Sequence, residues 1–248
     1  MCKNPHMLKN KTASHVGIVL SFVIFITFLI FIYTIIEPAT RVERGKQKTL
    51  ELLTPALMSY LSEDMTSVTV NLENYGGGSN CINLPAVTGI NNMESIAKNE
   101  SNELLPSILR DDGKTDVEWT SADGKILKIF YSRELESDEF SDGCGTTLQK
   151  DTDFEYGLIR TNEYIFETKM KKTLDSIKES RDYYEELKLN LSIPLGDEFG
   201  FGFKDDKGVI IQTEEREAMT NIYVEEIPIQ YIDEQANINS GFLIIKVW

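Results

Sequence analysis

Histidine is scarce in this sequence: its 248 residues include two, His6 and His15, and both precede a long apolar run that begins at Val16. Without histidine after residue 15, that part of the chain cannot form Ser-His-Asp or Cys-His catalytic sites or a histidine-ligated zinc site. The G-x-S-x-G, G-x-x-x-x-G-K-[ST] and C-x-x-C motifs are also missing. We therefore predict that the protein is not an enzyme, with no catalytic residues, and that it has no metal site and no cofactor.

Basic residues are also in short supply, with 25 Lys and Arg against 40 Asp and Glu, a formal net charge of −15. Nucleic acid phosphates recruit Lys and Arg, so we expect no nucleic acid partner. The hydrophobic fraction of 41% and the charged fraction of 26% are ordinary for folded proteins, which argues against wholesale disorder.

The most informative segment is the apolar run Val16–Ile36, whose 21 residues include no charge. As a helix it would be about 31 Å long, close to the roughly 30 Å of a bilayer's hydrocarbon core. The alternative is a cleaved secretory signal, whose apolar region is usually about 7–15 residues long and precedes a site with small residues. Glu37-Pro38-Ala39 follows the run instead. We predict a retained single-pass helix at 16–36, in contact with membrane lipid.

Cysteine usage suggests on which side of the membrane the large domain lies. Cys81 and Cys144 form an even pair after the span, as expected outside the reducing cytosol, and two free thiols are the alternative. Glycosylation sequons begin at Asn99 and Asn190. We predict a cell-membrane protein with a short basic cytoplasmic leader at 1–15 and an extracytoplasmic large domain.

After the span, leucines at helical spacing predict an amphipathic stalk helix over 37–62, namely Leu50, Leu53, Leu57 and Leu61. Pro55 would kink this helix or start a second one.

Residues 63–248 alternate between apolar and polar residues over several short stretches, which is typical of strands. One long covering helix is predicted over Lys169–Leu191, and a shorter helix over Glu94–Leu109. The predicted strands cover 66–72, 125–131, 156–166, 199–203, 209–213, 222–232 and 241–248. The predicted fold class is α+β: a transmembrane helix that continues into a stalk, then a mostly antiparallel head with one long helix covering it.

Acidic residues cluster in two loops, one with Asp111, Asp112, Asp116, Glu118 and Asp123, the other with Asp138, Glu139, Asp142, Asp151 and Asp153. Neither cluster matches the twelve-residue calcium loop, so solvated loops are favoured over calcium sites. A pair of carboxylates placed across a cleft would allow a glycosidase-like reaction, and sequence alone does not select such a pair.

Small residues recur every four positions at the start of the apolar helix, at Ala13, Gly17 and Ser21. In lipid, small faces of this kind let two helices approach closely. The pattern favours association of the helix, and chance is the alternative explanation.

Together, the Lys-bearing leader, the uninterrupted apolar helix, Pro38 near its outer end and the amphipathic segment before a β-rich head resemble the type IV pilin superfamily, in particular its archaeal branch with class III signal peptides. The resemblance implies cleavage between Ala13 and Ser14 by a prepilin peptidase, with the helices then bundling as a filament core. This chain has Ala13 where the family commonly has glycine.

The leading hypothesis is therefore a non-enzymatic, pilin-like surface protein that assembles with itself or with other pilin-like subunits through its apolar helix. The first alternative is a monomeric, membrane-anchored binding or sensing domain. The second is an anchored, carboxylate-dependent hydrolase.

Overall fold

The computed structural model describes residues 12–72, 75–76, 80–90, 92–137, 140, 143–145, 147–205, 207–212 and 222–248, with side chains of the first helix over 15–36 and 45–61. The contacts within the chain divide it into two units, Met1–Lys48 and Thr49–Trp248. We call the second unit the head.

The first helix, α1, comprises Thr12–Leu61. Within the first unit it contains a candidate membrane span, His15–Ile36, of 22 residues with a mean hydropathy of 2.8 and no buried position. Thr27 and Thr34 donate their hydroxyl groups to carbonyl oxygens of the preceding turn at 2.9 to 3.0 Å, so neither hydroxyl is left unpaired. The predicted apolar helix, long enough to cross a membrane, is present.

The last turns of α1 belong to the head, and their leucines are all buried in it: Leu50, Leu53, Leu57 and Leu61. The segment predicted as a stalk thus contributes, from Thr49 onward, a core helix of the head. The helix continues through Pro55, so the prediction of a second helix starting there is wrong. Proline removes the bond to the carbonyl of Glu51, and both residues are exposed, where water can replace that bond.

Twelve strands form two sheets in the described part of the head. They are β1 (Ser62–Asn71), β2 (Cys81–Leu84), β3 (Glu94–Lys98), β4 (Leu104–Leu105), β5 (Ser107–Leu109), β6 (Thr115–Glu118), β7 (Ile126–Ser132), β8 (Glu155–Phe166), β9 (Phe199–Lys204), β10 (Ile210–Gln212), β11 (Tyr223–Ile232) and β12 (Ile238–Val247). The nine-stranded sheet has the order β10-β9-β12-β11-β8-β1-β7-β3-β4, and the three-stranded sheet the order β2-β6-β5. A short 3-10 turn lies at Ser121–Asp123.

The strand pairs are antiparallel except for β8 and β11, which pair in parallel at two positions, Tyr231 with Ile165 and Ile232 with Phe166. The predicted α+β class with a mostly antiparallel sheet is confirmed.

The helix predicted over Glu94–Leu109 is wrong, because this stretch forms β3, β4 and β5. A turn interrupts it at Asn102, whose φ is +65°, a left-handed conformation that no α-helix accommodates. The Asn99 side chain fixes this turn by accepting the backbone N–H of Glu103 at 2.9 Å and donating to its carboxylate at 2.8 Å. Local side-chain bonds of this kind compete with helix formation.

The single long covering helix predicted over Lys169–Leu191 is two helices, α2 (Glu167–Glu179) and α3 (Arg181–Asn190). Ser180 separates them in an extended conformation, with φ −130° and ψ 119°. Its hydroxyl accepts the backbone N–H of Tyr183 at 3.2 Å, so the serine caps the second helix. The predicted apolar stripe is nevertheless buried along both helices: Met170, Leu174, Ile177, Tyr184, Leu187 and Leu191.

Two buried clusters lie on the same face of the large sheet. In one, the end of α1 together with α2 and α3 packs on β9, β11 and β12. In the other, the small sheet packs on β1, β7 and β3. The register of β8 shows that the two clusters share a face. Ile159 lies opposite Val68 of the second cluster, and Ile165 belongs to the first. Because these two isoleucines are six residues apart on one strand, they point to the same side of the sheet. A third cluster, with Met65 and Phe166, lies on the opposite face.

Candidate functional site

The small-residue face of the apolar helix is open to its surroundings. Gly17 and Ser21 are exposed, and a Cβ placed on Gly17 would have no neighbouring atom within 4 Å. The backbone at Ala13 and Ser14 is helical, and their side chains lie outside the described part of the chain. The rest of the span is a continuous exposed apolar surface, as the 62% exposure of Phe31 illustrates.

A disulfide joins Cys81, at the start of β2, to Cys144 in the loop between β7 and β8, with the two Cα atoms 5.3 Å apart. The bond belongs to a polar cluster around Asp116, whose side chain is fully buried. This carboxylate forms an ion pair with Arg110 and accepts hydrogen bonds from the side-chain amide of Asn83 and the backbone N–H of Cys144. The cluster anchors the loop to the small sheet.

Several acids of the two loops form local bonds with neighbouring residues. Asp112 pairs with Lys114 at 3.0 Å, and the hydrogen bond from this lysine lowers the pKa of the aspartate. The Asp123 carboxylate accepts the Thr120 backbone N–H at 2.7 Å. Asp138, Glu139 and Asp142 lie outside the described residues, and within them no group of three His, Cys, Asp or Glu side chains is arranged to hold a metal ion.

The two sequons of the head differ in accessibility. The Asn99 side chain is 4% exposed and bonded to Glu103 through both of its amide atoms. Asn190 is exposed at the end of α3. In the folded head, Asn190 is therefore the sequon position that is open to solvent.

Lys98 is the most deeply buried cation among the described side chains, with 1% exposure. Its ammonium donates to the side-chain oxygen of Asn237 at 2.7 Å and the carbonyl of Ala236 at 3.2 Å. Burial lowers the pKa of this lysine, and the negative charge of Asp233 partly opposes that effect. The contacts tie β3 to the β11–β12 turn, which is a structural role.

Among several clefts in the described part of the head, one of about 260 Å³ lies where β3 extends beyond its short neighbour β4. Glu136 and Glu234 are among its lining residues, the latter bridged to Lys171 at 3.1 Å. The cleft is small and polar, whereas pockets that enclose organic ligands are usually larger and mainly apolar.

The most unusual surface of the head is β8. It is the fifth of nine strands, yet its residues 157–163 are all exposed. On one face, the helices cover one half of the sheet, the small sheet covers the other, and β8 lies between them. On the opposite face, the third cluster includes Tyr164 and Phe166 of β8 but none of residues 157–163. Leu158 is 53% exposed and Ile159 46% exposed.

The edge of β8 that faces β11 is also largely unpaired with the strands that the structure describes. β8 pairs with β1 along its length, from Glu155 to Ile165, but with β11 at two positions near its end. Continued in the same register, residues 157–164 would lie opposite 223–230, and both strands are described throughout. We call the backbone edge of residues 157–163, with its exposed side chains, the β8 edge.

Sequence reasoning missed the β8 edge, although one signal was present. The stretch Gly157–Glu163 reads GLIRTNE, in which apolar residues are adjacent and no period-two alternation occurs. A strand with one buried face alternates, so this pattern is typical of a strand without a covered face.

The comparisons with known proteins give no further guidance: no family model, no curated protein and no solved structure matches the chain.

Proposed function

We propose that the protein is a non-enzymatic, single-pass membrane protein of pilin-like type, whose apolar helix lies in lipid and associates with other such helices. The head, in this proposal, is extracytoplasmic. The observation that carries the proposal is the exposed apolar span His15–Ile36 at the start of a helix whose last turns are core elements of an α+β head.

The small-residue face supports association in particular. Gly17 and Ser21 leave a shallow strip along one side of the span, with no described atom close to the glycine. Since lipid tails are as apolar as leucine, helices associate in a bilayer by close packing, which such a strip permits. The partners are accordingly lipid and further copies of this chain or related subunits.

The disulfide supports an extracytoplasmic head. Disulfides persist in oxidising compartments and are rare in the cytosol, and the Cys81–Cys144 bond is part of the polar cluster around Asp116. Cleavage between Ala13 and Ser14, with loss of the basic leader, is part of the proposal by resemblance to type IV pilins.

The proposal is tested by enlarging the small face. In native membranes, Gly17→Leu with Ser21→Leu is expected to abolish cross-linked oligomers and remove the protein from the sheared surface fraction. Val19→Leu with Val23→Leu adds bulk on the opposite side of the same exposed helix and serves as the matched control. Unchanged oligomers in the first pair, or equal losses in both pairs, would contradict assembly through this face.

The alternative, a monomeric membrane-anchored binding domain, is favoured by one observation, the open β8 edge. It predicts that both leucine pairs leave the protein monomeric and at its normal level in the membrane.

A further inference from the structure

We propose that the β8 edge binds an extended, basic and apolar segment of a partner protein, which adds to the sheet as a strand. This proposal goes beyond pilin-like assembly and does not depend on it, because it concerns the head alone.

Backbone geometry is the first argument. An open strand edge presents N–H and C=O groups that are ready to pair with an extended peptide, and folded proteins normally cover or blunt such edges. β8 runs parallel to β11 where they pair, so a peptide antiparallel to β8 would enter the opening between the two strands in the more favourable antiparallel geometry. On the far side, β11 carries Pro228, which has no N–H to offer. The β8 edge keeps an N–H at every residue, and because a register shift against β1 falls at Gly157 and Leu158, a regular ladder is expected over 159–163.

The side chains of β8 suit a strand whose residues point to both faces. Ile159 lies on the face of Val68, and Leu158, its neighbour, points to the opposite face. Both are about half exposed, at 46% and 53%. Two apolar residues at adjacent positions of an added strand would cover Leu158 on one face and Ile159 on the other. Burying these two side chains would contribute to the affinity for the peptide.

Charge selects the kind of peptide. Asp64 of β1 lies directly opposite Glu163 of β8 in the register, and like charges in directly opposed positions destabilise a sheet. Neither carboxylate forms an ion pair with a described residue, whereas the neighbouring Glu63 is paired with Lys169 at 3.1 Å. A lysine or arginine of the added strand next to Glu163 would relieve this repulsion.

The three strands around the opening are acidic as a whole. The ten residues of β1 and the ten of β11 contain no basic residue, and the twelve of β8 contain one, Arg160. A second copy of this chain, with a net charge of −15, would bring the same acids against each other. A basic partner is therefore favoured over self-pairing of β8.

The test uses the full chain in neutral detergent and two synthetic octapeptides labelled with fluorescein. One repeats the unit Lys-Val-Val-Lys, which places valines at adjacent positions, and the other has glutamate in place of each lysine. Fluorescence anisotropy is expected to show binding of the lysine peptide roughly tenfold tighter than that of the glutamate peptide. Hydrogen exchange followed by mass spectrometry is expected to show protection of the amides in 157–163 by the lysine peptide.

Glu163→Lys is the informative variant, because it removes the acid pair and replaces it with a favourable one, so that folding is not weakened. It is expected to weaken binding of the lysine peptide by roughly fivefold or more. Glu179→Lys, an exposed position on α2, makes the same charge change elsewhere and is expected to leave binding within roughly twofold.

Two results would overturn the proposal. Binding without added protection of 157–163, or binding weakened equally by both variants, would mean non-specific attraction to an acidic protein. Protection of 157–163 that rises with protein concentration in the absence of peptide, together with a dimer in sedimentation, would mean that a second copy occupies the β8 edge.

Discussion

Replacing Leu57 with alanine tests whether the end of α1 is a core helix of the head. The Leu57 side chain is fully buried, in one cluster with Phe201, Leu243 and Ile245. Truncating a buried leucine in this way costs about 2–5 kcal/mol, since the lost transfer free energy adds to that of the cavity left behind. For a unit of this size, a loss of about 3 kcal/mol lowers the melting temperature by about 6–12 °C.

The same helix provides the matched control. Leu52 is 62% exposed on the other side of α1, and leucine and alanine are both strong helix formers. Leu52→Ala is therefore expected to change the free energy of unfolding by less than about 0.5 kcal/mol. If this part of α1 were a stalk without contacts to the head, both substitutions would change the free energy of unfolding equally little.

The assay is urea unfolding of the full chain in detergent, followed by tryptophan fluorescence. Trp119 and Trp248 are 2% and 9% exposed, so both indole environments change when the head unfolds. The difference between the two variants is read from the transition midpoints at constant m-value. Free energies of unfolding for Leu57→Ala and Leu52→Ala that agree within about 0.5 kcal/mol would refute the placement of α1 in the core.

Three further predictions concern the rest of the head. Arg110→Gln leaves the buried carboxylate of Asp116 without its cation and is expected to lower the free energy of unfolding in urea by about 3 kcal/mol. A decrease below about 1 kcal/mol would show that the remaining hydrogen bonds are enough to stabilise the buried charge. Replacing both Cys81 and Cys144 with serine removes a cross-link between positions 63 residues apart, and is expected to lower the free energy of unfolding by about 4 kcal/mol. An unchanged midpoint of urea unfolding would contradict this prediction. Burial raises the pKa of Tyr131 to about 12, so its stabilising contribution is complete below pH 10 and is lost as the pH rises from about 10 to 12. The free energy of unfolding should therefore fall less steeply over that range in Tyr131→Phe than in the parent, and identical slopes would refute the assignment.

Local sequence signals predicted the elements in which one residue pattern dominates. The aromatic alternation of Phe199–Lys204 and the apolar run of Ile126–Ser132 are both strands. The leucine spacing of α1 correctly identified its buried face, because a period of 3.6 residues brings those positions to one side of the helix.

The errors arose where a single polar side chain decides the backbone. Ser180 caps α3 and ends α2, although the apolar stripe runs on through both helices. Asn99 fixes a turn inside a segment that otherwise has helical spacing. Such bonds depend on which of several local conformations the chain adopts, and the apolar pattern does not distinguish between them.

The β8 edge is a property of the assembled sheet. The sequence shows that β8 does not alternate, but which strands flank it and where the covering layers stop depend on contacts between distant segments. The pairing of Ser62–Asn71 with Glu155–Phe166 is one such contact. The helix-packing face and the proposed cleavage site remain predictions from sequence.

The central claim, a pilin-like subunit held by its apolar helix, is tested most directly by the intact mass and N-terminal sequence of the protein extracted from native membranes. The account predicts a protein that begins at Ser14, has lost residues 1–13, and gains about 2 mass units on reduction of the Cys81–Cys144 bond. A membrane protein that retains its complete leader would contradict processing as a pilin. It would leave an anchored head whose β8 edge becomes the first place to look for its partner.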